Sequence, residues 1–277
     1  FVRISPGTIR PMRLRAAEWI VVGYFAYLAV LALSSRVPGR QRVRVLATGA
    51  LVVAGVVTLA WIAAPADVLR DWIPLVYVLL GYWTPGLLVT ATNPRFEQTL
   101  LTLDHRLFGL NASAIEQRLP RRMIHILELA YLFCYPMIPL GLASLYAAGL
   151  RGESDRFWTA VFVAVFGCYG VLPLLPTRPP RAIERARPES SGAIRRLNLK
   201  VLRVGSIPLN TFPCRHAAAS VATALAVGGC LAAVGLALGL LALGITIGSV
   251  VGRYHYAADA VSGACLGLAG FLISRYV

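Results

Sequence analysis

His255 and Asp259 stand four residues apart near the C-terminus, in the segment from Val251 to Asp259. On a helix that spacing puts both side chains on one face. A carboxylate beside an imidazole fixes its tautomer and stabilises the imidazolium, which is what a histidine nucleophile or general base requires. A second group, Pro213, Cys214, Arg215 and His216, opens an apolar run. Proline at a helix entry is ordinary. The free N–H groups of a helix start, joined by Arg215 and His216, make a ready anion site. A third group, residues 176–181, closes another apolar run, and its Arg178 and Arg181 could clamp phosphate oxygens. Each group also has a plain structural reading. His255 and Asp259 could be a helix-end pair, His216 an interfacial histidine, and the two arginines headgroup anchors. Cys214 beside an arginine suggests a thiolate nucleophile. A cysteine phosphatase loop, however, needs Arg six residues later, and Ser220 is there.

The elements that must position these groups follow from composition. Of 277 residues, 57% are hydrophobic and 14% charged, against about 25% charged in a soluble domain. That excludes an ordinary soluble enzyme and a disordered chain. Apolar runs of about 20 residues match the bilayer core. The expected fold is all-α, a polytopic membrane helical bundle of about eight spans. They are read at 16–33, 43–64, a proline-interrupted 72–90, 123–148, 157–175, two within 216–251 divided near 235–239, and 257–272. Residues 94–122 alternate charge with Leu100, Leu103 and Leu107, which reads as an interfacial amphipathic helix and loop. Asp104 and His105 read as interfacial there, with Asp104 able to order the segment. Residues 1–122 then hold the N-terminal spans and interfacial segment, and 123–277 the site-bearing core, within one membrane domain.

Topology brings the three groups together. Residues 176–181 and 213–216 flank one loop and so share a membrane face. If 216–251 crosses and returns, His255 comes back to that face. One long helix there would put it on the opposite side.

Lys+Arg is 27 and Asp+Glu 12, a net charge of +15, and Lys200 is the only lysine. The expected spans put 19 of the 27 cations on the site face and 8 on the other. That asymmetry favours a cytoplasmic site face in a multi-pass protein of a bacterial plasma membrane. Arginine's rigid fork also suits phosphate. No basic soluble domain is present to bind nucleic acid. Arg195, Arg196, Lys200 and Arg203 read as a solvated face touching anionic lipid. Glu128, inside a span with His125 one turn earlier, reads as either functional or helix-pairing. The five cysteines form no C-x-x-C pair and suggest neither a disulfide framework nor a zinc site.

In order and residue type the three groups resemble the type 2 phosphatidic acid phosphatase (PAP2) superfamily over 123–277. Its pattern is Lys-x6-Arg-Pro, then Pro-Ser-Gly-His, then Ser-Arg-x5-His-x3-Asp. Arg178 and Pro179 match the end of the first motif, Pro213 and His216 the second, His255 and Asp259 the third. The first-motif Lys falls at Val171 and the third-motif Arg at Ser249; Cys214 and Arg215 replace Ser-Gly. Arg215 and Arg253 are the replacements for the lost cations. Residues 103–109 and 176–180 are also similar to the inositol-phosphorylceramide synthase branch, which transfers a head group.

The resemblance implies a membrane enzyme cleaving a phosphoester or pyrophosphate of a lipid, and many relatives act at the outer or lumenal face, the alternative to the cytoplasmic face that the charge favours. His255 would attack phosphorus, Asp259 orient it, and His216 protonate the leaving oxygen and then activate water or an acceptor alcohol. Arg178, Arg181, Arg215 and Arg253 would bind phosphoryl oxygens, with Cys214 in the place of the motif serine. No metal or cofactor is expected, because the arginines supply the positive field. The rivals are a head-group transferase and a non-catalytic lipid-binding or transport protein on a degenerate fold.

Overall fold

The computed structural model describes residues 13–62, 67–109, 115–116, 118–183, 192–209 and 212–277, and every element among them is helical. Arg3, Arg10, Arg185 and Arg187, counted in the charge asymmetry, lie outside the described residues. The helices are α1 (Ala16–Ser34), α2 (Gly39–Trp61), α3 (Asp67–Trp72), α4 (Pro74–Gly86) and α5 (Pro94–Phe108) in the first part. There follow α6 (Arg121–Leu132), α7 (Met137–Ala147), α8 (Ser154–Val171), α9 (Pro180–Ile183) and α10 (Ala193–Gly205). The chain ends with α11 (Arg215–Gly228), α12 (Ala232–Val251) and α13 (Ala257–Ser274).

Among the described residues, four helices, α1, α2, α12 and α13, are long and apolar enough to cross a bilayer. The pair α6 and α7 would be a fifth span, bent by 67°. Pro136 stands at that bend, and proline cannot supply the amide N–H that a continuous helix needs there. The proline-interrupted segment is likewise split, with α4 starting at Pro74. Exposed Trp19, Leu33, Leu51, Trp61, Leu236 and Leu240 face outward, as a lipid-facing surface requires.

The centre of the bundle is α8. Phe157, Trp158, Phe162, Phe166 and Tyr169 are all buried along it, and α13, α11, α1 and α4 pack around it. Small residues allow close approach on α13. A Cβ on Gly263 would lie 2.2 Å from the carbonyl oxygen of Cys214, and one on Gly267 2.6 Å from that of Ala218. Those two glycines let α13 run against the α11 backbone.

The apolar run 216–251 does form two helices, but the break is not where the glycines near 235–239 suggested. It falls at residues 229–231, between α11 and α12. Gly235 serves packing instead: its Cβ would sit 2.1 Å from the Cα of Gly228. A glycine that permits a helix crossing looks, in sequence, like one that permits a turn.

At the end of the bundle where α8 begins, buried charges tie the N-terminal helices on. Asp71 accepts from Arg151 at 2.7 Å and Arg15 at 2.5 Å. Asp155 accepts from the backbone N–H groups of Ala16 and Ala17 at the start of α1. The sequence-marked groups all lie at the other end.

Candidate active site

Three chain segments meet where α8 ends. α8 ends at Val171, with Pro173 two residues on; Pro176, Pro179 and Pro180 then lead into α9, carrying Arg178 and Arg181. Cys214 is the N-cap of α11, with Arg215 and His216 in its first turn. Arg253, Tyr254 and His255 form the turn between α12 and α13, and Asp259 lies in the first turn of α13. The turn is closed by two N–H groups, of Tyr254 and His255, donating to the Ser249 carbonyl at 2.9 and 3.0 Å. Arg253 has φ 59°. A non-glycine residue there costs about 1–2 kcal/mol, and such strain concentrates at functional sites.

Backbone bonds stitch the segments together. The Arg181 N–H donates to the Arg253 carbonyl at 3.2 Å, and the Cys214 N–H to the Asp259 carbonyl at 3.0 Å. The Tyr256 hydroxyl donates to the Arg178 carbonyl at 2.9 Å.

Within this frame the three sequence-marked catalytic candidates form one chain of contacts. Asp259 Oδ1 and Oδ2 lie 3.0 and 3.2 Å from His255 Nδ1. His255 Nε2 lies 3.1 Å from His216 Nδ1. All three side chains are buried. Asp259 can only accept when ionised, so His255 Nδ1 carries a proton. A single proton then sits between the two imidazoles. His216 Nε2 is buried with no hydrogen-bond partner among the described residues. Burial alone would push His255 down, but the neighbouring Cys214 sulfur and the Asp259 carboxylate outweigh it and push it up to about 10.

A cavity opens beside the histidines. Its polar wall is Arg181, Arg215, His216 and His255, and its less polar wall includes Tyr82, Leu202 and Ile207. Among the described residues, no acidic side chain lines it. Arg215 lies over the ring of Tyr82, 3.6 Å from the centroid, and Arg181 over Tyr254 at 5.3 Å. Stacking on aromatic faces holds a guanidinium without consuming its charge. Arg253 is buried.

Arg178 departs from expectation. Its side chain does not line the cavity. It forks onto Glu97 of α5, with Nη2 2.7 Å from Oε2 and Nε 3.1 Å from Oε1, and its backbone N–H adds a 2.8 Å bond to Oε1. A carboxylate inside hydrogen-bond reach occupies the fork that phosphate was expected to take. Burial alone would push the Glu97 carboxyl up; the bonds from Arg178 hold it below its ordinary value.

Asp104 is not interfacial either. It is buried and turns inward, accepting from the backbone N–H groups of Ala257 and Ala258 at 2.8 Å each. It therefore caps α13 from another helix. Glu97 and Asp104 were not singled out for the site in the sequence. Their signal was present: two carboxylates seven apart share a face of an amphipathic helix. The basic segment 193–205 is a helix, not a loop face, and its Arg195 pairs with Glu116.

Cys214 Sγ and ring nitrogens of His216 and His255 lie within 4.8 Å of one another. These are donors of the kind zinc takes. Arg181 and Arg215 beside them oppose a cation, and Asp259 already holds His255 in the orientation that a nucleophile requires.

The PAP2 superfamily matches the chain over residues 98–273. The chain belongs to the PAP2 superfamily. The match takes in α5 from Gln98 onward, and every residue of the His–His–Asp chain. Comparison with curated proteins and with solved structures gave no match. Members of the PAP2 superfamily are generally phosphatases or phosphotransferases, and the apolar helices of this PAP2 protein suit a membrane setting.

Proposed function

We infer that this PAP2 protein breaks a phosphoester or pyrophosphate bond of a membrane lipid through a phosphohistidine. The observation that carries the reading is the Asp259–His255–His216 chain of contacts beside an arginine-lined cavity. Transfer of the shared proton from His255 Nε2 to His216 Nδ1 leaves His255 neutral at Nε2 and makes His216 an imidazolium. His255 Nε2 then attacks phosphorus. An N–P bond forms, the P–O bond to the lipid breaks, and the leaving oxygen takes a proton from His216. In the second half His216 accepts a proton from water or an alcohol, whose oxygen displaces His255. Asp259 holds the imidazole throughout. Arg181 and Arg215 on the cavity wall, with the buried Arg253 in the turn before His255, offset the charge that builds on the phosphoryl oxygens. Arg178 acts by tying α5 to the site, and Cys214 fills the place of the motif serine.

Hydrolysis and head-group transfer differ only in what accepts the phosphoryl or phosphodiester group. The synthase-like segments favour transfer, and the prevalence of phosphatases in the superfamily favours hydrolysis. A degenerate, non-catalytic role is opposed by the intact His–His–Asp chain. Counting α4, the bent pair, α8 and α11 as crossings gives eight spans, with the site on the more cationic, cytoplasmic face.

The test is turnover by purified protein in detergent. Phosphatidate, a polyprenyl diphosphate, and CDP-alcohol or phosphoinositide donors are each supplied with and without an acceptor alcohol. Free phosphate marks a phosphatase and a new lipid a transferase. No turnover of any substrate, or parent-like turnover by His255→Ala, would sink the mechanism.

A further inference from the structure

Glu128 is a buried carboxylate that the reaction does not use. It lies in α6, where charge is costly unless it is paired. Its Oε2 accepts from the Tyr254 hydroxyl at 2.7 Å and from Asn198 Nδ2 at 2.7 Å. Asn198 also donates to the Glu128 backbone carbonyl at 2.9 Å. Arg195 Nε stands 3.8 Å from Oε1. One carboxylate therefore joins α6, α10 and the turn that carries His255.

Both joins lead to the cavity. Asn198 and Leu202 share a face of α10, four residues apart, and Leu202 lines the cavity, as does Ser206 just past the helix end. Tyr254 immediately precedes His255. Its ring stacks on Tyr131 with centroids 4.1 Å apart, and Tyr131 meets His216 edge-on at 5.2 Å. Arg181 lies over the same Tyr254 ring. The phenol oxygen is thus fixed by Glu128, while the ring seats a cavity arginine.

The geometry points to Glu128 as a positioning residue: it latches α10 across the cavity and fixes the Tyr254 ring on which Arg181 is held for the substrate phosphate. The contacts made through Glu128 are contacts to the binding walls, not to the reacting nitrogen of His255. Losing them weakens substrate binding more than the chemical step. The kinetic part of this inference rests on the phosphoester reading of the cavity.

The experiment uses the full chain in detergent, with phosphatidate in mixed micelles as the probe. Asn198→Ala and Tyr254→Phe leave Glu128 in place. Each is expected to raise KM about three- to tenfold with kcat within about twofold, the size of one lost hydrogen bond. Glu128→Leu is expected to exceed tenfold. Glu128→Gln, whose carbonyl can accept the same two bonds, is expected to return to within about threefold of the parent. Amide hydrogen exchange over residues 193–205 reads the latch without turnover and is expected to quicken in Asn198→Ala. KM at the parent value in both Asn198→Ala and Tyr254→Phe overturns the inference, as does a loss confined to kcat. If the parent cleaves no ester, the phosphoester reading fails by itself, and the latch is judged by exchange: a parent-like rate in Asn198→Ala overturns it. If Glu128→Leu does not fold, the other two variants decide.

Discussion

Asp104 offers the sharpest test of how the site is held. Its carboxylate accepts two backbone N–H groups at the start of α13, each at 2.8 Å. Asp259 follows two residues after Ala257, so the cap and the His255 partner share one helical turn. Asp104→Ala removes both acceptors. Hydrogen bonds to a charged group contribute about 1.5–3 kcal/mol each. Ala257 is buried, so its N–H is stranded, whereas half-buried Ala258 can be rehydrated. The loss is then nearer one strong bond than two, about 3 kcal/mol, with about 0.3–1 kcal/mol more from the lost charge at the helix N-terminus. For a chain of this size that corresponds to a fall in melting temperature of roughly 7–16 °C. A shift of about 1 Å in Asp259 would cost about a hundredfold in rate. Asp104→Asn keeps one acceptor and is expected to lose about half as much stability. Thermal unfolding in detergent, followed by phosphate release at a temperature where both proteins are folded, measures the two effects. An Asp104→Ala protein within about 2 °C of the parent and equally active would refute the reasoning.

Other perturbations follow from the same contacts. Asp259→Asn keeps the shape but leaves His255 without its charged partner, and turnover is expected to fall by at least about a hundredfold with substrate binding little changed. Glu97→Gln removes the charge that Arg178 pairs with. Because Arg178 holds the Glu97 carboxyl low, the pair stabilises fully above the ordinary value of 4.5 and is lost as pH falls through the lowered one. The variant should therefore unfold more easily than the parent at neutral pH, with the gap closing in acid, as thermal scans across pH would show. Gly263→Ala drives a methyl group into the Cys214 carbonyl. It is expected to push α13 from α11, lowering both stability and turnover more than Gly239→Ala, where a Cβ meets nothing within 4 Å.

Helices apolar enough for a bilayer, an all-helical fold and the meeting of the three groups were legible in the sequence. They depend on local quantities: the length of apolar runs, the four-residue spacing of His255 and Asp259, and the reversal of the chain within 216–251. The break within 216–251 was legible as an event but not as a place, because Gly235 and Gly229 look alike until the facing helix is known. The partners of each arginine were not legible at all. Arg178 and Arg181 are three residues apart and chemically identical, yet Glu97 claims the first, and the Tyr254 ring presents the second to the cavity. Asp104 and Glu128 are separated from their partners by more than a hundred residues of chain, at Ala257 and Tyr254. Their side chains carry no mark of which donor they will meet. Residue type determined what chemistry was available, and tertiary packing decided which charges are spent on holding the site and which line the cavity.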